Sequence, residues 1–162
     1  MAEEPYVDFN SKILARMLAR AYVAEHTETE AISEAMLQLG DESVSEVLFR
    51  LIKDNELHKL LIEMMIEKLN FSIDEFKEYS IKVIGVRRFD FTDEFTPKQL
   101  NEILKWERWA RDYYLNLLNQ DYSRIAEEFG DEVVDYIKSG LEKLIKWEKM
   151  HAELLQELMS KA

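Results

Sequence analysis

The sequence predicts an all-α fold, a bundle of four long helices with a long crossover between the second and the third. Three observations lead there. Only 4 glycines and 2 prolines occur in 162 residues, so sharp turns have few places to form. Glu, Lys, Leu and Met, all strong helix formers, are abundant. Apolar residues also recur at three- and four-residue spacing over windows too long for strands.

The first helix is placed at about residues 9–38, with a stripe of Leu18, Tyr22, Glu25, Thr29, Ile32, Met36 and Leu39. Gly40-Asp41 makes a short turn into the second, at about 43–69. Its stripe is Val44, Leu48, Leu51, Asn55, His58, Ile62, Met65 and Leu69. Asn70 to Thr96 is the long connection and contains a short amphipathic piece, SIDEFKEYS. It is long enough to run back along a helix of about 27 residues, some 40 Å, which would leave the second and third helices parallel. Thr96 and Pro97 read as N-cap and first residue of the third helix, placed at about 97–128. Leu100, Leu104, Glu107, Ala110, Tyr114 and Leu117 form its stripe. Gly130-Asp131 turns the chain into the fourth helix, at about 131–160. There the stripe is Val134, Ile137, Leu141, Leu144, Glu148, His151, Leu155 and Leu158. No stretch reads as a linker, so residues 1–162 are expected to form one domain.

Composition narrows the function. Cysteine is absent, which excludes a disulfide scaffold, thiolate catalysis and Cys-based metal sites, a rubredoxin-type CxxC module among them. A net charge of −12 disfavours nucleic acid and anionic membranes as partners. No apolar run approaches the roughly 18 residues of a membrane span, and MAEEPYVDF has no signal-peptide character. The expected location is the cytoplasm. Arg87 and Arg88 read as surface ion-pairing residues.

The informative residues interrupt the stripes. Glu25, Glu107 and Glu148 stand mid-stripe, as do Asn55, His58 and His151. Buried carboxylates are costly unless paired, hydrogen-bonded or bound to metal. Glu25 and His58 lie equally far from the Gly40-Asp41 turn to within a residue or two, and Glu107 and His151 do so about Gly130. Each pair is therefore level within its hairpin. Glu148 and His151 form an ExxH pair, whose i, i+3 spacing puts both side chains on one helical face. Carboxylate and imidazole together suit iron, manganese or zinc.

One Glu on each of the first and third helices, with His58 and the ExxH pair on the second and fourth, resembles the ferritin-like di-iron carboxylate superfamily, which includes bacterioferritins and rubrerythrins. The resemblance spans about residues 9–160 and includes the crossover. It implies that Glu25, His58, Glu107, Glu148 and His151 are metal ligands, with Glu148 bridging. It also implies two iron ions, with manganese or zinc as alternatives, and oxidation chemistry on O2 or hydrogen peroxide of ferroxidase or peroxidase type. A homodimer follows from the same likeness, and any external reductant is expected to be another protein, since this chain encodes no second redox module. One position departs from the pattern: Asn55 stands where a second bridging Glu is expected. Asn55 through its carbonyl, or Asp54 one residue earlier, is the candidate replacement ligand. Asn55 also keeps open a non-enzymatic helical binding or iron-handling module with a degenerate or mononuclear site. Tyr22 and Tyr114 flank the cluster, whereas His26 points about 100° away from Glu25 and reads as solvated or supporting.

Overall fold

A computed structural model describes residues 8–37, 41–84 and 97–161 of the protein. Six helices account for nearly all of them: α1 Ser11–Met36, α2 Glu42–Lys68, α3 Asp74–Ile84, α4 Pro97–Leu118, α5 Ser123–Phe129 and α6 Asp131–Ser160. The long helices α1, α2, α4 and α6 are the four expected. The fold is all-α, and no strand occurs among the described residues. Thr96, Leu39, Gly40, Arg87 and Arg88 lie outside those residues.

Side-chain caps begin the first two helices. Asn10 Oδ1 accepts from the Ile13 N–H at 3.0 Å, and Asp41 Oδ1 accepts from the N–H groups of Ser43 and Val44 at 3.0 and 3.4 Å. The four stripes face inward as anticipated. Leu18, Ile32, Leu48, Leu51, Ile62, Met65, Leu117, Ile137, Leu141, Leu144 and Leu155 are all buried.

The third helix ends earlier than its expected bounds, although its stripe, which runs to Leu117, fits the observed end. An unbroken helix to about residue 128 is expected because no glycine or proline stands between Pro97 and Gly130, but α4 stops at Leu118 and the separate α5 fills 123–129. The break has local causes. Tyr122 turns its hydroxyl back to the Leu117 carbonyl at 2.8 Å, satisfying one of the acceptors that a helix end leaves over. Asp121 caps Ser123 through both its N–H and its hydroxyl. The connection from α4 to α6 therefore runs through α5, which packs on α6. Gly130 separates α5 from α6 with φ +89° and ψ 165°, a conformation that glycine adopts without strain.

Packing sets the helix directions. α1 packs on α2 and α4 on α6, while α2 also meets α6 across the bundle. Asp54 lies beside His151, and Met65 lies beside Gly140, where a Cβ would stand 2.8 Å from the methionine sulfur. Rising along α2 means descending along α6, so α2 and α4 run parallel, as the long connection requires. α3, in that connection, lies against α1. Arg16 and Arg20 of α1 sit over the Tyr79 ring at 5.7 and 5.5 Å. α1 is thus covered on two sides, and its buried residues include the alanines 15, 19, 21, 24, 31 and 35. No helix of the described residues is long and apolar enough to cross a membrane.

Candidate metal centre

The stripe-breaking residues meet at one level of the bundle interior. Glu25, Glu107 and Glu148 are at most 3% exposed, and Asn55, His58 and His151 are fully buried. His58 Nδ1 stands 3.4 Å from Glu25 Oε1 and 3.1 Å from Glu148 Oε1. His151 Nδ1 stands 3.3 Å from Glu107 Oε2 and 3.9 Å from Glu148 Oε2. Glu148 therefore turns one oxygen towards each imidazole, and the two rings stack with centroids 5.6 Å apart. Two triads result, Glu25–His58–Glu148 and Glu107–Glu148–His151, each with one ligand atom per residue within 4.8 Å of the others. Glu148 belongs to both.

Asp54 and Asn55 lie outside the two triads. Asp54 lies on the far side of His151, its Oδ2 2.8 Å from Nε2, away from the carboxylates that Nδ1 faces. Such a carboxylate on the outer nitrogen fixes ring orientation and leaves Nδ1 free as a donor to metal. The Asn55 amide reaches the carboxylates of α1. With its nitrogen turned to α1, it donates to Glu25 Oε2 at 2.9 Å and to the Leu51 carbonyl at 3.2 Å. With the amide reversed, the nitrogen is 3.3 Å from Glu28 Oε1.

Glu28 is the residue that the stripe missed. It is 2% exposed, one helical turn beyond Glu25, and shares a hydrogen bond with Glu107. Its signal was present in the sequence: Glu25 and Glu28 have the i, i+3 spacing of Glu148 and His151. Tyr114 also joins the cluster, its hydroxyl donating to Glu25 Oε1 at 2.7 Å. Tyr22 instead faces the ammonium groups of Lys59 and Lys77. His26 pairs with Glu30 at 2.9 Å and with Lys59 at 3.1 Å, outside the cluster.

The electrostatics are those of a charge-rich interior seeking compensation. Burial alone would raise the Glu25 carboxyl, but the His58 charge and the hydrogen bonds from His58 and Tyr114 outweigh it and hold it low. Burial opposes the charge on His58, yet Glu25 holds its imidazolium in place. Burial and then neighbouring carboxylates push Glu28, Glu107 and Glu148 well above the usual range. Burial lowers His151, with the hydrogen bond to Asp54 working the other way. Burial and then Glu25 raise the Tyr114 phenol.

Read as carboxylates, these groups are short of donors. Both Glu148 oxygens, Glu107 Oε1 and His58 Nε2 are buried without a hydrogen-bond partner among the described residues. Buried polar atoms are rarely left so. With no cation bound, burial favours the protonated, uncharged form of Glu28, Glu107 and Glu148. Divalent cations would satisfy the same oxygens directly, so the donor set fits metal.

Fold and cluster together define a class: a ferritin-like helical bundle with carboxylate and imidazole groups able to bind metal. Solved structures agree on the fold. The bacterioferritin-related protein of Bacteroides fragilis, a dodecameric thioferritin, matches with a TM-score of 0.74 at 17% identity, over 94% of this chain and 88% of that one. A two-domain protein from Anabaena variabilis ATCC 29413, containing DJ-1/ThiJ/PfpI-like and ferritin-like domains, matches with a TM-score of 0.66 at 13% identity, over 96% of this chain and 38% of that one. No protein-family model matches the sequence, and no curated protein does. At these identities the likeness establishes the ferritin-like fold.

Proposed function

We propose that this chain, as a single ferritin-like domain, holds a dinuclear iron or manganese site and is an oxidoreductase acting on O2 or hydrogen peroxide. The observation that carries this reading is the pair of triads sharing Glu148, with one carboxylate oxygen turned to each imidazole. Glu25 and His58 would hold one ion, Glu107 and His151 the other, and Glu148 would join them. Iron or manganese held there would supply the electrons that reduce the oxidant.

The chain's own residues do the rest. Burial of the cluster keeps bulk water from the ligands and strengthens their electrostatics. Asp54 fixes the His151 ring, and Tyr114 holds one Glu25 oxygen in place. An external donor protein would return electrons to the site. Self-association, with a homodimer as its smallest form, is part of the proposal. Exposed Leu57, Leu60 and Met64 on successive turns of α2 support it, as does the dodecamer formed by the B. fragilis protein. The proposed location is the cytoplasm.

A second reading has Asn55 in its favour. As a neutral amide it cannot bridge cations as a carboxylate does, which suits a mononuclear or iron-handling site without turnover. Anaerobic Fe(II) loading followed by stopped-flow mixing with O2 or peroxide separates the two. The dinuclear reading expects about two ions per chain and oxidant consumption matching the iron present. One ion per chain with no fast oxidation supports the second reading.

A further inference from the structure

We infer that Glu28 is a ligand of the metal site, the fourth carboxylate, supplied from α1 in place of the one that Asn55 leaves missing on α2. This rests on the dinuclear reading above and adds to it the residue that completes the donor set.

Geometry comes first. Glu28 follows Glu25 by three residues, so both project from one face of α1 towards the bundle centre. Its carboxyl is 2% exposed and touches Glu107 on one side and Asn55 on the other. It therefore reaches the half of the cluster that contains Glu107, where a ligand oxygen, Oε1, is buried without a partner. Asn55 is at the level of Glu28, as His58 is at the level of Glu25. The carboxylate expected at position 55 has thus been replaced by one on the facing helix, pointing into the same space.

Charge points the same way. Two divalent ions bring four positive charges into a site with little water. Glu25, Glu107 and Glu148 supply three negative charges, and the imidazoles supply none as ligands. Glu28 makes the fourth, so the ligand charges balance those of the two ions, as a buried site strongly favours, while Asp54 outside them has the Arg50 guanidinium 3.9 Å away. Asn55, being neutral, donates its amide to one carboxylate of α1 without adding a further negative charge.

The test compares the wild type with Glu28→Gln, Glu28→Gln/Asn55→Glu and Glu30→Gln. Glu30 is an exposed residue of the same helix and serves as control. Manganese(II) is titrated into each metal-free protein, and electron paramagnetic resonance counts the free ion. Circular dichroism checks the helices of every variant. The wild type and Glu30→Gln are expected to bind two ions per chain. Glu28→Gln is expected to bind the second ion at least about tenfold more weakly. The double variant, with the carboxylate moved back to α2, is expected to recover two. Two ions bound by Glu28→Gln with wild-type affinity would overturn the inference and leave the dinuclear reading standing. Binding of neither manganese(II) nor, in the same titration made anaerobically, Fe(II) by the wild type would overturn both. Loss of helix in Glu28→Gln, with binding not recovered in the double variant, would assign Glu28 to the fold and overturn the inference.

Discussion

His58 and His151 stack in the same bundle interior, each with Nδ1 turned to a pair of glutamates, yet their outer nitrogens have different surroundings. His151 Nε2 meets Asp54 at 2.8 Å. His58 Nε2 has no hydrogen-bond partner among the described residues, and its ring lies 5.0 Å from that of Trp147. The carboxylates differ in the opposite sense. Glu25, beside His58, is held by the Tyr114 hydroxyl, whereas Glu107, beside His151, keeps one oxygen unpaired. One half is therefore fixed through its imidazole and the other through its carboxylate. Glu148 ties them together.

Glu148→Ala should have the largest effect, because it removes the residue common to both halves. Metal content measured after reconstitution should fall to near zero while circular dichroism stays helical. Retention of one ion would mean that a half can stand alone. Asp54→Ala should act on one half only. Outer carboxylates on ligating histidines are worth about 10–100-fold in metal affinity, so one of the two sites should weaken by that order in a calorimetric titration. Equal weakening of both would break the distinction between the halves.

Tyr114→Phe tests the other half. It removes a donor to a buried, ionised carboxylate, so the metal-free protein should lose about 1–2 kcal/mol in denaturant unfolding. Bound metal should shrink that loss by taking over the Glu25 oxygen. The smallest effect is a pH slope in the metal-free protein. Glu28, Glu107 and Glu148 are raised above the ordinary value of 4.5. They stabilise the fold below that value, and the contribution is lost as pH rises through their folded values. His58, also raised, acts in the same direction above 6.5. Glu25 and His151, both lowered, oppose it, but only below 4.5 and 6.5 respectively. Tm of the chelated protein should therefore fall between about pH 5 and about pH 8, and metal should flatten the slope.

Much of this was legible from periodicity. The stripes placed Glu25, Asn55, His58, Glu107, Glu148 and His151 in the core because a buried face repeats every three to four residues whatever side chain stands there. Turn positions then set their level. Glu28 was hidden because α1 is covered on two sides, by the bundle and by α3, so its buried arc is wider than one stripe. Asp54 shows a second limit. Spacing puts it on the His58 side of α2, but α6 supplies the neighbour it meets, and that depends on the register between helices. The break after Leu118 was missed because no glycine or proline marks it before Gly130. Asp121 and Ser123, a local capping pair, decide the outcome there.

The most direct measurement is the metal content of protein purified without an affinity tag and reconstituted anaerobically, determined by inductively coupled plasma mass spectrometry for the wild type and His151→Ala. A dinuclear centre predicts about two iron or manganese ions per chain in the wild type, and loss of metal in the variant. Near-zero uptake by the wild type, or the same content in both proteins, would contradict it.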